Sequence, residues 1–148
     1  MDRGDSVEVW DAEEIPPDDH LYYRVPGEHA PERLQPSIFR EPSGTGSMSM
    51  DWSKYRTPRA TLEAGRRAPH TYGVVTLAVG HVRGVGLEVR HTPDVQRRNR
   101  AHCDVFGLSE DKTRYRVLLY NGLVRNTDPA GSRWTIPPRR ETPRLKVT

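Results

Sequence analysis

The sequence predicts an α+β fold with one small, mixed and largely antiparallel sheet and two short helices. Five short segments show either the period-two alternation of half-buried strands or the unbroken apolar run of a central strand. Two other segments carry the start signals of helices. The resulting order is strand, loop, strand, helix, three strands and helix, which favours an antiparallel sheet in a mixed domain.

The first predicted strand covers residues 21–25, where Tyr22 and Arg24 face one side and three apolar side chains face the other. A proline and a glycine end it. The prolines and glycines of residues 28–46 then predict a long loop with at most one helical turn. Its expected apolar anchors are Ile38 and Phe39.

The second predicted strand, residues 47–52, alternates strictly along SMSMDW. Ser47, Ser49 and Asp51 form its polar face, and the two methionines and the tryptophan form its apolar face. Such alternation is typical of a strand that buries one face and exposes the other.

Three further strands are predicted near the centre of the chain, at residues 72–79, 87–91 and 101–106. The first is apolar on both faces, as a central strand should be. In the last, Cys103 shares a face with apolar neighbours, whereas His102 and Asp104 share the opposite, polar face. The glycine-rich HVRGVG segment between the first two predicts a turn.

Helix signals occur at two places. Thr57 followed by proline is a typical helix start and predicts a short helix over about residues 58–67. Ser109 is the expected N-cap of a second helix that runs to about Tyr120, where an Asn-Gly pair supplies a stop.

Composition divides the chain into three parts. Residues 1–20 form an acidic arm with paired prolines, residues 21–130 form the domain, and residues 131–148 read as a disordered basic tail rich in proline and arginine. Net charge also changes along the chain, from −7 for residues 1–35 to +4 for 36–90 and +6 for 91–148. The acidic part either neutralises the basic surface or leaves it for an anionic partner.

The polar faces of three strands supply the candidate site. If these strands belong to one sheet, their side chains line one cleft, in which arginine would bind a phosphate or carboxylate and serine would donate hydrogen bonds. A solvated sheet face is the alternative interpretation. The candidates are Arg24, Ser47, Ser49, Asp51, His102 and Asp104, with Tyr22 beside them, and the anion-binding set adds Arg97, Arg98 and Arg100.

Cysteine catalysis and metal binding are disfavoured by the same pattern. Adjacent strand residues diverge, so Cys103 and His102 do not form a nucleophile–base pair. His81, His91 and His102 are spaced ten and eleven residues apart, unlike the close ligand pairs of zinc sites. We therefore expect neither a metal nor a cofactor.

Arginines near the C-terminus suggest an alternative, nucleic-acid binding through phosphate contacts and an interleaved aromatic ring. No helix-turn-helix, RRM, KH or zinc-finger signature accompanies them. Besides the arginines of the 97–100 loop, the residues concerned are Arg133, Trp134, Arg139, Arg140, Arg144 and Lys146.

The segments LYYRVP, SMSMDW and HTPDVQRRNRAHCDVFG together resemble a group of small bacterial proteins without an established activity, over roughly residues 21–107. A fainter resemblance is to the ADP-ribosyltransferase fold. That resemblance implies NAD held by Arg24 and by Ser47 or Ser49. The late glutamate of that fold has no counterpart here, and His102 or Asp104 would take its place.

The leading functional hypothesis is a small binding or accessory module that contacts an anionic ligand or a protein partner. An NAD-using enzyme and a nucleic-acid binder are the alternatives. Because the N-terminus is acidic and no long apolar run occurs, we expect a soluble, cytoplasmic protein without a membrane segment.

Overall fold

The computed structural model describes residues 9–26, 34–42, 44–65, 72–126 and 131–138. It confirms the predicted α+β fold, with five strands and three α-helices. The strands are β1 (His20–Pro26), β2 (Ser47–Trp52), β3 (Tyr72–Ala78), β4 (Glu88–His91) and β5 (His102–Phe106). The helices are α1 (Pro58–Glu63), α2 (Val79–Gly84) and α3 (Lys112–Asn121), with 3-10 turns at Pro36–Ile38 and Leu108–Glu110.

The strands form one antiparallel sheet in the order β3-β1-β2-β5-β4. Its centre is therefore built by the three strands whose polar faces carry the candidate residues. The register places Tyr22 opposite Asp51, Asp51 opposite His102, and Ser49 opposite Asp104. Side chains of these pairs share one face of the sheet, because directly opposite residues point to the same side.

The other face of the sheet carries the main core, as the alternation predicts. Phe39, Leu119 and Leu108 pack there from the 3-10 turns and α3, and all three are fully buried. The side chains that the sheet contributes are Leu21, Tyr23, Val25, Met48, Met50, Trp52, Cys103 and Val105. Helix α1 contacts β1 and β3 and buries Leu62, which lies outside that core.

Of the two predicted helix caps, the one at Thr57 is confirmed and the one at Ser109 is wrong. Thr57 caps α1 as expected, since its hydroxyl accepts a hydrogen bond from the Ala60 N–H at 3.1 Å. The helix ends at Glu63, short of the predicted end at 67, and residues 66–67 lie outside the described residues. Asp111 caps α3 instead of Ser109, because residues 108–110 form a separate 3-10 turn.

The HVRGVG segment is a further difference, because its first four residues belong to α2 rather than to a turn. Two glycines lower the helix propensity of this segment, which is why its sequence favours a turn. Val79 and Val82 are both fully buried and lie three residues apart, on one face of the helix. Tertiary burial of this face outweighs the weak local propensity.

The acidic arm is attached to the domain through its second half. Ile15 is buried in the core, and its carbonyl accepts a hydrogen bond from Arg83 Nη1 at 2.6 Å. The carboxylate of Asp19 accepts one from Trp52 Nε1 at 2.8 Å. Residues 1–8 lie outside the described residues.

The C-terminal segment 131–138 packs on the edge of the sheet, so these eight residues belong to the domain and not to the predicted disordered tail. Ile136 pairs with Val74 of β3, through hydrogen bonds of 2.8 and 3.1 Å between their backbones. Trp134 is buried against Gly73, where an added Cβ atom would lie 2.7 Å from Trp134 Cε3. Residues 139–148 lie outside the described residues.

Candidate functional site

A cleft of about 270 Å³ opens on the polar face of the sheet, beside α1 and the loop of residues 92–100. The central strands form its floor, and two loops and the helix form its walls. It is lined by Tyr22, Arg24, Ser49, Met50, Asp51, Arg56, Thr61, Ala64, Asp94, Arg97, Asn99 and His102. We refer to this set as the sheet cleft.

Arg24 extends from β1 into the sheet cleft and is half-buried there. Its Nη1 donates a hydrogen bond to the Thr61 carbonyl oxygen at 2.9 Å, and its guanidinium lies 5.9 Å from the ring centre of Tyr72. Guanidinium has five N–H donors, so these contacts orient the group without saturating it. Within the described part of the chain, Arg24 forms no ion pair with a carboxylate.

Asp51 differs, because its carboxylate is buried and saturated by the protein. One oxygen accepts hydrogen bonds from Arg56 Nη1 and Thr61 Oγ1, each at 2.9 Å. The other accepts one from Asn99 Nδ2 at 2.8 Å. Asp51 therefore ties the helix, the preceding loop and the 92–100 loop to the sheet, and neutralises Arg56.

Ser49 and His102 lie side by side, with Ser49 Oγ 3.2 Å from His102 Nε2. The other ring nitrogen, Nδ1, lies 2.9 Å from the carbonyl oxygen of Thr92 and 3.0 Å from its hydroxyl. That hydroxyl donates a hydrogen bond to Asp104 Oδ2 at 2.9 Å. A connected polar network thus runs from the exposed serine to a carboxylate at the side of the cleft.

Ser47 and Asp104 belong to this network but do not line the cleft. The Ser47 hydroxyl is buried and donates to Asp104 Oδ1 at 2.8 Å, so both carboxylate oxygens of Asp104 already have protein partners. Of the six polar-face candidates, the structure brings Arg24, Ser49, Asp51 and His102 together at the cleft, whereas Ser47 and Asp104 do not line it.

The three arginines of the 92–100 loop lie in three different places, and only one of them lines the cleft. Arg97 lines the cleft and forms an exposed ion pair with Asp94, with Nη1 and Oδ2 3.3 Å apart. Arg98 occupies the turn of the loop with a left-handed φ of 53° and does not line the cleft. Arg100 lies over the ring of Tyr55, 4.5 Å from its centre, on the side where the N-terminal arm docks.

Three cleft residues have no sequence signal that identifies them. Arg56 lies in a loop, Thr61 in a short helix, and Asn99 in the basic segment, where the surrounding arginines dominate the pattern. They become recognisable only through their shared acceptor, the Asp51 carboxylate. A buried aspartate on a polar strand face requires such donors, although the sequence does not say which residues supply them.

The remaining reactive side chains lie apart from the cleft or are inert. Cys103 is buried, and this burial, followed by the nearby charges of Asp51 and Asp104, raises the pKa of its thiol to about 12. His81 Nε2 contacts the Leu118 carbonyl oxygen at 2.9 Å. In the residues that the structure describes, no three His, Cys, Asp or Glu side chains are grouped as metal ligands.

Comparison with known proteins gave no match among protein-family models, among curated proteins or among solved structures. The resemblances drawn from the sequence thus stay expectations. Among the described ranges, no helix has both the length and the apolar character needed to cross a membrane.

Proposed function

We propose that the sheet cleft binds a small anionic ligand and that Arg24 is its principal anchor. The observation that carries this proposal is the difference between the arginines of the cleft. Arg56 is paired with Asp51 and Arg97 with Asp94, whereas Arg24 donates one hydrogen bond to a backbone carbonyl and keeps its charge uncompensated among the described residues. A half-buried cation of this kind is stabilised by a bound anion.

The neutral groups around Arg24 support the same ligand class. Ser49, His102 and Tyr22 provide hydrogen-bonding groups on the cleft floor. Arg97 adds a second cation. Its ion pair with Asp94 is exposed, and exposed ion pairs are weak enough for Arg97 to turn towards a ligand. A phosphate or carboxylate group fits this combination of donors.

The cleft volume restricts the size of the ligand. At about 270 Å³, it lies just below the roughly 300–1,000 Å³ typical of pockets for drug-sized molecules. The proposed ligand is therefore a compact molecule with one anionic group. Whole NAD or a nucleic-acid strand would extend well beyond the cleft, and Trp134, the interleaved aromatic ring of the nucleic-acid alternative, is buried in the domain.

The test is a titration calorimetry series on the full chain with phenyl phosphate, benzoate, inorganic phosphate, NAD and a short single-stranded RNA. We expect the compact anions to bind and Arg24→Gln to weaken their binding by about tenfold or more, because a hydrogen bond to a charged group contributes about 1.5–3 kcal/mol. Arg90→Gln is the matched control, since Arg90 lies exposed on β4 and outside the cleft.

Two results would contradict the proposal. One is an unchanged affinity of Arg24→Gln for the compact anions. The other is an equal loss of affinity in Arg24→Gln and Arg90→Gln, which would show that only the net charge of the protein matters. Tight NAD binding that depends on Arg24 would instead favour the ADP-ribosyltransferase-like alternative, and RNA binding that is independent of Arg24 would favour the nucleic-acid alternative.

A further inference from the structure

The pairing of β2 with β5 brings a serine and a histidine into contact on the floor of the sheet cleft. Ser49 lies opposite Asp104 and His102 lies opposite Asp51, so Ser49 and His102 are diagonal neighbours on the same face. Diagonal positions in an antiparallel pair are close enough for long side chains to meet. Here the Oγ and Nε2 atoms are 3.2 Å apart.

The surrounding hydrogen bonds fix which nitrogen of His102 carries the proton. Nδ1 faces the backbone carbonyl oxygen of Thr92 at 2.9 Å, and a carbonyl can only accept. The Thr92 hydroxyl gives its proton to Asp104, so it also presents a lone pair to Nδ1. Nδ1 is thus assigned as the protonated nitrogen, and Nε2 is left to accept the proton of the Ser49 hydroxyl.

This arrangement is not shared by the other buried or half-buried histidines of the described residues. His91 accepts a hydrogen bond from the Glu13 N–H and contacts the Arg100 carbonyl oxygen, so both of its nitrogens have backbone partners. His81 contacts a backbone carbonyl of α3. Among the histidines that the structure describes, only His102 places a ring nitrogen against an exposed hydroxyl on the floor of the sheet cleft.

From these contacts we infer that Ser49 is a nucleophile activated by His102, and that the pair hydrolyses carboxylic esters that carry a separate anionic group. A nucleophile, a base within hydrogen-bond reach and a third group that orients the base are the parts needed for acyl transfer. The anionic group is specified because the inference rests on the proposed function, in which Arg24 holds the ligand.

The reaction is balanced without any further reagent than water. Ser49 Oγ bonds to the ester carbonyl carbon while its proton moves to His102 Nε2, and the carbon–oxygen bond to the alcohol breaks as the alcohol takes that proton. Water then gives a proton to Nε2 and bonds to the acyl carbon. Ser49 leaves with the proton, and the carboxylic acid is released.

The positive charge that stabilises the reaction intermediate comes from an arginine of the cleft. The tetrahedral intermediate places a negative charge on the former carbonyl oxygen, next to Ser49. Arg97 lines the same cleft, with a side chain that is 65% exposed and an ion pair that is solvent-accessible. Arg97 thus supplies the cation for the negative charge of the intermediate, while Arg24 binds the anionic group of the substrate.

The test uses diisopropyl fluorophosphate on the full chain, followed by intact mass measurement. The serine oxygen bonds to phosphorus, fluoride leaves, and His102 takes the proton. We expect one adduct on the wild type and none on Ser49→Ala, which lacks the nucleophile. In His102→Gln, labelling should be at least about 100-fold slower, in line with the contribution of a general base. Ser109→Ala is the matched control, because Ser109 is exposed outside the cleft.

A second measurement tests the substrate class and does not depend on labelling. The hydrolysis of 4-nitrophenyl hemisuccinate, which carries a carboxylate, is compared with that of neutral 4-nitrophenyl butyrate. We expect kcat/KM to be about tenfold or more higher for the anionic ester, and Arg24→Gln to remove this preference. Thermal melts of all variants establish that they are folded.

The outcomes separate the inference from the proposed function. If the wild type binds phenyl phosphate but is neither labelled nor active, the anion site stands and the nucleophile is overturned. Labelling that persists in Ser49→Ala also overturns the assignment of Ser49 as the nucleophile. If labelling depends on Ser49 and His102 but both esters are hydrolysed equally, the anionic substrate class and the proposed role of Arg24 are overturned.

Discussion

At the scale of single residues, the polar face of the sheet contains side chains of two kinds. Asp51 and Asp104 have both carboxylate oxygens occupied by protein donors, and they hold loops and strands together. Arg24 and Ser49 each make one described hydrogen bond and face the cleft. This difference in saturation, rather than residue type, distinguishes the structural from the ligand-facing positions.

The role of Asp51 leads to a prediction about stability. Asp51→Ala would leave the Arg56 guanidinium and two neutral donors without their acceptor. We expect a loss of about 2–3 kcal/mol in the free energy of unfolding, measured by urea denaturation, since removing one partner of a buried ion pair leaves an uncompensated charge. Glu88→Ala, which breaks an exposed pair with Arg90, is the control and should cost less than about 0.5 kcal/mol. Equal losses in the two variants would contradict the assigned role.

Cys103 provides a second residue-scale prediction. Its pKa of about 12, against an ordinary 9.0, keeps the folded thiol protonated. At about pH 8.5, iodoacetamide should leave the native protein unmodified and add one group in urea, because only the thiolate reacts. The unfolded chain loses its thiol proton first, so stability should also fall as pH rises from 9.0 towards about 12.

Cys103→Ala is the control for the alkaline effect, because it removes the titrating thiol. The wild type should therefore lose more stability than this variant between neutral pH and alkaline pH. Rapid alkylation of the native protein would show that the thiol is accessible and would refute its assignment to the core.

At the scale of elements, the alternation of polar and apolar residues predicts the strands, whereas helix α2 depends on tertiary burial. β2 has the predicted bounds, and β1, β4 and β5 lie within one residue of theirs, because half-buried strands need alternating polarity. The α2 segment escaped prediction because the burial of Val79 and Val82 comes from tertiary neighbours. The sequence did not identify Asp111 as the N-cap of α3, because Ser109 is an equally good N-cap residue.

The docked arm provides the element-scale prediction. Hydrogen bonds from Lys54 and Tyr55, with the nearby positive charge of Lys54, lower the pKa of Glu13 below its ordinary 4.5. A carboxyl group whose pKa is lowered on folding stabilises the fold above its unfolded pKa. The wild type should thus melt higher than Glu13→Gln at neutral pH, and this advantage should disappear as pH falls below 4.5 through the folded pKa of Glu13.

Glu88→Gln is the control for this titration, since Glu88 pairs with an arginine at the exposed edge of the sheet rather than with the arm. Thermal melts followed by circular dichroism from neutral to acidic pH give the comparison. An advantage of the wild type over Glu13→Gln that stays constant across this pH range would show that the ion pair does not hold the arm.

At the scale of the whole molecule, the sheet is completed by a segment that sequence composition assigns to a tail. Residues 131–138 belong to the proline- and arginine-rich segment 131–148, yet Trp134 is 8% exposed and Ile136 pairs with β3. Deleting residues 131–148 should cost about 3 kcal/mol or more in unfolding free energy relative to deleting residues 139–148, because the loss of a buried tryptophan side chain has that magnitude. Urea denaturation of the two truncated chains gives the difference, and equal stability would contradict the packing.

The sequence by itself determined the α+β class, five strands and the face on which each polar side chain lies, because these follow from local periodicity. Only the tertiary structure decided which faces meet. Ser49 and His102 are 53 residues apart, and their contact depends on the antiparallel register of β2 and β5. Arg24 joins them because β1 pairs with β2, and Arg98 and Arg100 are excluded by the path of their loop. Strand order and register arise from the joint burial of the whole core, which no single segment encodes.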